Sequence, residues 1–224
     1  MSADKTEAGA KAADIANLVA DGGLVLDERV QARLDAYVLL LRRWNQVFNL
    51  VGASSPKMLF ERHVRDCLAV LACLPEEGAS LLDIGSGAGL PGMVVAIARP
   101  GLTVTLAEPR AKRQTFLRQA ARHLALANVR VVGERLLPDD PAQHRRLGCF
   151  DYVTSRAFAD LPSFLALALV YCRPGGRIIA MKGPAVESEI AAWRAQGIGL
   201  PATLRPYRLA DGSRRCLVVV EKPS

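Results

Sequence analysis

Leu81-Leu82-Asp83-Ile84-Gly85-Ser86-Gly87-Ala88-Gly89-Leu90-Pro91-Gly92 runs from a short apolar strand through a glycine-rich turn into the start of a helix. A brief apolar run closed by glycine reads as a strand covered on both faces. Glycine lets the backbone turn sharply and approach a ligand closely. A dinucleotide turn would read Gly-x-Gly-x-x-Gly/Ala from Gly85, but its last position is Leu90. A triphosphate loop would need Gly-Lys-Ser/Thr, which the chain lacks. What remains is Asp-x-Gly-x-Gly-x-Gly, with the Asp83 carboxylate at the strand end, where a cationic amino-acid group would lie. Glu108 ends the next apolar run and suits the two hydroxyls of a ribose. A ligand with an ammonium, a ribose and an adenine but no phosphate is S-adenosylmethionine. Asp83, Gly85, Gly87 and Glu108 are its expected contacts. The bland alternative is a tight turn that holds nothing.

C-terminal to this turn, apolar runs at 104–107, 129–132, 152–155 and 177–181 alternate with helical patterns at 112–126, 161–171 and 186–195. Such alternation predicts a parallel α/β sheet. Two last strands, 204–209 and 216–221, flank the turn signal Asp211-Gly212 and predict an antiparallel hairpin. The outline is a Rossmann-like class I methyltransferase with a mostly parallel seven-stranded sheet. N-terminal to the turn, Asp27 caps a predicted helix with Val30, Leu34, Tyr37, Val38, Leu41 and Phe48 at helical spacing. Ser55-Pro56 opens a second predicted helix that runs to Leu74. The expected organisation is a flexible extension over 1–24, a helical appendage over 25–78 and the methyltransferase domain over 79–224.

Half of the 224 residues are hydrophobic and 23% are charged, which excludes global disorder. No apolar run approaches the roughly 20 residues that cross a bilayer, and residues 1–13 lack the apolar core of a secretory signal. A cytoplasmic protein away from membranes is expected. The five cysteines are scattered without a Cys-x-x-Cys pair, and there are three histidines, so neither a disulfide framework nor a metal site is expected. The net charge is +7, and residues 99–160 hold eleven Lys/Arg against six Asp/Glu. That surplus suits a polyanion, although arginine-rich coding bias produces the same number. Lys112, Arg113 and Arg118 are candidate RNA contacts, or a solvated helix face.

The methylated atom is partly constrained. Amino-group methylation usually carries Asn/Asp-Pro-Pro-aromatic after the fourth strand, where this chain has Ser155-Arg156-Ala157-Phe158. Cytosine C5 chemistry needs a cysteine nucleophile, and Cys149 and Cys172 are misplaced for it. A ring nitrogen such as guanine N7 has a free lone pair and loses no proton. No general base is therefore expected.

Trp44-Asn45, Asn49-Leu50, Arg62-His63-x-x-Asp66, the glycine turn, Lys112-Arg113, Phe116-Leu117-Arg118, Ser155 to Ala159 and Lys182-Gly183 together resemble one family. It is the glucose-inhibited division protein B family, the small-subunit rRNA guanine N7-methyltransferases, and the resemblance runs from about residue 27 to the end. It implies methyl transfer from S-adenosylmethionine to N7 of one guanine in 16S ribosomal RNA beside the decoding site, in bacterial cytoplasm. The substrate would be 16S ribosomal RNA or the small ribosomal subunit, and a monomer is expected. The resemblance carries cofactor contacts to Gly85, Leu90, Glu108, Leu136, Leu137 and Arg156. Arg156, Lys182 and His63 are candidates for positioning the target base. The chain departs from the family pattern at Val51, Cys67 and Pro109, where Thr, Ser and Ser are usual. Plainer roles remain open: His63 as a core histidine, Arg62 and Asp66 as a helix-surface pair or a pin to the catalytic domain, Trp44 and Phe48 as core. Two other functions also remain open, a small-molecule methyltransferase and a non-catalytic RNA-binding protein.

Overall fold

The computed structural model describes residues 26–52, 55–197 and 200–224. The extension expected over 1–24 lies outside them. Helix α1 (Glu28–Phe48) starts where Asp27 accepts from the Arg29 N–H and stops at Asn49, which turns left-handed with φ 47°. Leu34, Tyr37, Val38 and Leu41 form its buried stripe, each contributing about 1.5–3 kcal/mol through burial. Phe48, expected in the same stripe, is 39% exposed.

The second expected helix is not continuous. It divides into α2 (Pro56–Leu59), a π-helical turn (Phe60–Val64), α3 (Arg65–Leu68) and a 3₁₀ turn (Ala69–Cys73). The Arg65 N–H donates to the Phe60 carbonyl, a wide i→i+5 closure that the apolar pattern does not disclose.

The sheet follows: β1 (Glu77–Ile84), α4 (Gly92–Ala98), β2 (Gly101–Ala107), α5 (Ala111–His123), β3 (Val129–Val132), α6 (Pro141–Leu147), β4 (Phe150–Arg156), α7 (Leu161–Tyr171), β5 (Cys172–Lys182), α8 (Val186–Arg194), β6 (Ala202–Arg208) and β7 (Arg214–Glu221). The strand order is β3-β2-β1-β4-β5-β7-β6. β7 is antiparallel to both neighbours, and the remaining pairs are parallel. The expected Rossmann-like sheet is present, and its order reverses between β1 and β4. Ligands of such sheets bind beyond the strand C-termini at that point.

Each face of the sheet has its own core. On one face α1, α3, α4 and α5 pack through Leu34, Leu41, Cys67, Val94, Phe116 and Leu117. On the other, α7 and α8 pack through Phe164, Leu165, Ile190 and Trp193. The N-terminal helices therefore form part of a covering layer of the sheet. The boundary expected after residue 78 falls inside β1. Helix α6 is absent from the sequence-based expectation. Asp140 caps it by accepting from the Ala142 and Gln143 N–H groups, and Pro141 occupies its first turn. Only Gln143 is buried, so α6 carries no apolar stripe to betray it.

Candidate functional site

The glycine turn is stitched to the end of β2. Gly85 and Ser86 both donate from their N–H groups to the Ala107 carbonyl, at 2.9 and 3.1 Å. Gly85, Gly87 and Gly89 have φ of 70°, 58° and 88°, a region that L side chains avoid. At Gly85 a Cβ would also lie 2.5 Å from Phe158 Cδ2, so the backbone must stay bare there.

Glu108 is held by this turn from below. Its Oε2 accepts from the Gly87 N–H and its Oε1 from the Arg110 N–H, both at 2.9 Å. Arg113 Nη1 lies 3.9 Å from Oε2. The donor lost at Pro109 is thus supplied one residue later, by Arg110. Each carboxylate oxygen keeps a lone pair for another donor. Glu108 borders a cavity of about 410 Å³ with Gly85, Arg113, Glu134, Leu136 and Phe158. A volume of this size suits a small ligand.

Four expected cofactor contacts, Asp83, Gly87, Leu90 and Leu137, do not border this cavity. Asp83 is fully buried behind the turn, where its Oδ2 accepts from the Gly92 N–H at 2.9 Å and its Oδ1 has no partner among the described residues. Burial raises its pKa to about 7, offset in part by the Gly92 N–H. It braces the entry to α4 and does not border the cavity. Leu90 is buried in the core below the same turn. Leu137 points outward, 40% exposed, because its N–H is taken by Gln143 and its carbonyl accepts from Tyr171 Oη. Leu136 does border the cavity.

Arg156, also expected at the cofactor, does not border this cavity. It lines a second cavity of about 640 Å³, together with Arg62, His63, Asp66, Lys182 and Glu189. The two cavities share Ala157 and Phe158 as a common wall, and Ala157 turns there with φ 54°. Arg156 Nη1 donates to the His63 carbonyl at 3.1 Å and to Cys67 Sγ at 3.4 Å. The same Nη1 lies 3.5 Å from Asp66 Oδ2. Nη2 donates to His63 Nδ1 at 2.5 Å. Guanidinium has only donors, so Nδ1 must be the bare nitrogen and Nε2 carries the proton. Burial, then the charges of Arg156, Arg62 and Arg215, lower the His63 pKa to about 4. The imidazole is neutral at pH 7.

Arg62 and Asp66 do not pair with each other. Arg62 faces Asp211 at 3.7 Å. Asp66 is buried, accepts from Tyr207 Oη at 2.6 Å, and lies 3.9 Å from Arg215. Their motif therefore pins the N-terminal helices to β4 and to the C-terminal hairpin. The π-helical turn carries Arg62 and His63 and ends two residues before Asp66. Lys182 Nζ donates to the Ala159 carbonyl and to Glu189 Oε2, each at 2.7 Å.

The expected basic trio divides. Arg113 turns toward Glu108 and the first cavity. Lys112 is exposed and lies 5.6 Å from the centre of the Phe48 ring, a cation–π distance. Arg118 is exposed and reaches Gln114 at 3.3 Å. Trp44 packs on Phe48 and Phe116, at 5.2 and 5.6 Å between ring centres. Glu134, Arg135, Glu189 and Arg215 line the two cavities and lie outside the expected set. Glu134 has a signal: like Asp83 and Glu108 it is an acidic residue at the C-terminal end of a strand, two residues past β3.

Comparison with known proteins bears on this arrangement. Residues 30–202 match the family model for rRNA small subunit methyltransferase G. A ribosomal RNA small subunit methyltransferase G from Alkalilimnicola ehrlichii is 46% identical over 183 residues, covering 82% of this chain and 77% of that protein. The protein of the same name from Xanthomonas campestris pv. campestris is 41% identical, covering 88% and 89%. Among solved structures, an O-methyltransferase from Bacillus cereus in complex with SAH superposes with a TM-score of 0.58 at 21% identity, covering 84% of this chain and 91% of that one. A methyltransferase from Pyrococcus furiosus gives 0.56 at 20% identity, covering 87% and 98%. At such identity the structures speak to the fold alone.

Proposed function

Because the chain belongs to the rRNA small subunit methyltransferase G family, we propose that it methylates N7 of one guanine in 16S ribosomal RNA, using S-adenosylmethionine. The cofactor takes the Glu108 cavity and the guanine takes the Arg156–Lys182 cavity. The observation that carries this reading is the shared Ala157–Phe158 wall, which sets the two hollows side by side beyond the strand ends.

The residues of the first cavity fit the cofactor. Glu108 is fixed by two backbone N–H groups and retains acceptor capacity for both ribose hydroxyls. Gly85 lines the same cavity, with Phe158 packed against its bare backbone. When bound, S-adenosylmethionine supplies a methyl group on a positively charged sulfur. Adjacent placement of base and cofactor is the main source of acceleration, because it removes the entropy of encounter.

In the second cavity Arg156 and Lys182 form a fixed positive edge that can donate to guanine O6. They must leave N7 bare, since its lone pair is the nucleophile. His63 does not take up a proton here: its Nδ1 is occupied by Arg156 and its pKa is held near 4. Asp66 is committed to Tyr207 and Arg156. N7 sheds no proton on methylation, so the reaction asks neither group to act as a base. The protein works as a monomer in the cytoplasm, on 16S ribosomal RNA or the small subunit that contains it.

Labelled cofactor and bacterial small-subunit RNA provide the test. Borohydride and aniline should then cleave the product RNA at a single modified position, since N7-methylguanosine is labile. Label that resists this cleavage and digests to an amino- or ribose-methylated nucleoside would overturn the assignment.

A further inference from the structure

The second cavity holds four cationic side chains, Arg62, Arg156, Lys182 and Arg215, and two carboxylates, Asp66 and Glu189. The carboxylates differ in what they have left to offer. Asp66 is almost wholly buried and faces Tyr207, Arg156 and Arg215. Glu189 keeps 23% of its side chain exposed. Both of its fixed hydrogen bonds fall on one oxygen: Oε2 accepts from Lys182 Nζ and from the Leu161 N–H at the start of α7, each at 2.7 Å. Among the described residues Oε1 accepts from none. The side chain is thus locked in place by one oxygen while the other stays open beside the cavity.

We infer that Glu189 is the residue that selects guanine, its Oε1 accepting from N1–H and the exocyclic amino group of the target base. The inference rests on the placement of the base in this cavity. Guanine is the one base of RNA with two adjacent donors on its pairing edge, and a flipped base is read on that edge. Adenine and cytosine turn a ring lone pair to the same place, which a carboxylate repels. Selection therefore combines an attraction with a rejection. N7 lies on the opposite edge of the purine, so a carboxylate holding the pairing edge leaves the nucleophile free. Lys182, anchored to the same Glu189, sits where it can donate to O6, next to N1 on the ring. The pair presents acceptor and donor in the order guanine needs. Glu189 moves no proton in this role.

The experiment uses RNA carrying inosine in place of the target guanosine. Inosine keeps N7, O6 and N1–H and lacks only the amino group. Wild type should transfer methyl to guanosine about 10-fold faster than to inosine in kcat/KM, the usual worth of one hydrogen bond to a charged acceptor. Its affinity for the two RNAs, measured with S-adenosylhomocysteine present, should differ in the same direction. Glu189→Gln should lose most of that preference, because its single amide oxygen is needed where Lys182 and the Leu161 N–H donate, which turns the NH2 group toward the base. A Glu189 that merely braces α7 and Lys182 would lower both rates alike and leave the guanosine-to-inosine ratio unchanged, which would overturn the inference. So would equal rates of wild type on the two RNAs, a result that needs no variant to fold. Guanosine methylated elsewhere than N7 would instead overturn the placement of the base.

Discussion

Asp83→Asn isolates a charge that this fold buries. In wild type the carboxyl is fully buried; Oδ2 accepts from the Gly92 N–H, and Oδ1 has no partner among the described residues. Its pKa rises from 3.8 to about 7, chiefly through burial. Below pH 3.8 the folded and unfolded chains both hold the proton. Between 3.8 and 7 only the folded chain keeps it, so rising pH favours unfolding. The slope is about 1.4 kcal/mol per pH unit, and across the window it accumulates to roughly 4 kcal/mol. An asparagine side chain has nearly the same shape, can still accept from Gly92, and does not titrate. Urea unfolding of both proteins at intervals from about pH 4.5 to about 8.5 gives the difference in stability at each pH. The Asp83→Asn variant sets the baseline, because it lacks this one titration and keeps all the others. Relative to that baseline, wild type should lose stability up to about pH 7 and then level off. A difference that stays flat would show that Asp83 ionises at an ordinary pKa, and the account of its buried carboxyl would fail.

Glu108→Ala should weaken S-adenosylmethionine binding by about 1–3 kcal/mol, because charge-assisted ribose contacts are lost; unchanged affinity by calorimetric titration would remove Glu108 from the site. Arg156→Ala should destabilise the fold by about 3–5 kcal/mol in urea unfolding, since the buried Asp66 loses the guanidinium 3.5 Å away and keeps only Tyr207 and the more distant Arg215. Arg156→Lys should recover little of that, because one ammonium cannot reach His63, Cys67 and Asp66 together; full recovery would mean that charge alone matters there. Lys112→Glu with Arg118→Glu should lower RNA affinity and flatten its dependence on salt while leaving cofactor affinity intact. An unaltered salt slope would identify these side chains as a solvated face.

Legibility follows the physics that the one-dimensional pattern records. Strand β3 and helix α7 are bounded where the apolar pattern puts them. The place of Glu108 beside a cavity is legible because it directly follows the second strand, at the ligand side of such a sheet. Asp83 stands at an equivalent place, yet its contact depends on which way the turn folds over it. The same limit applies to Lys112 and Arg113. Neighbours on a helix point about 100° apart, and only the packed structure shows that Arg113 faces Glu108. The π-helical turn leaves no mark, because its extra residue alters hydrogen bonding without altering composition. Glu189 reads in one dimension as an acidic residue of a solvated helix; its role emerges only when α8 is set against Lys182 and α7.

The bond from Tyr207 to Asp66 spans 141 residues of chain. A ribosome making this protein releases the N-terminal helices well before the hairpin of β6 and β7. Every residue that lines the Glu108 cavity precedes residue 159. The Arg156 cavity also takes in Arg215, which is made later. The lining of the first cavity is therefore synthesised before that of the second is complete. Until β7 slots between β5 and β6, Asp66 lacks its hydroxyl partner and the second cavity lacks its Arg215 wall.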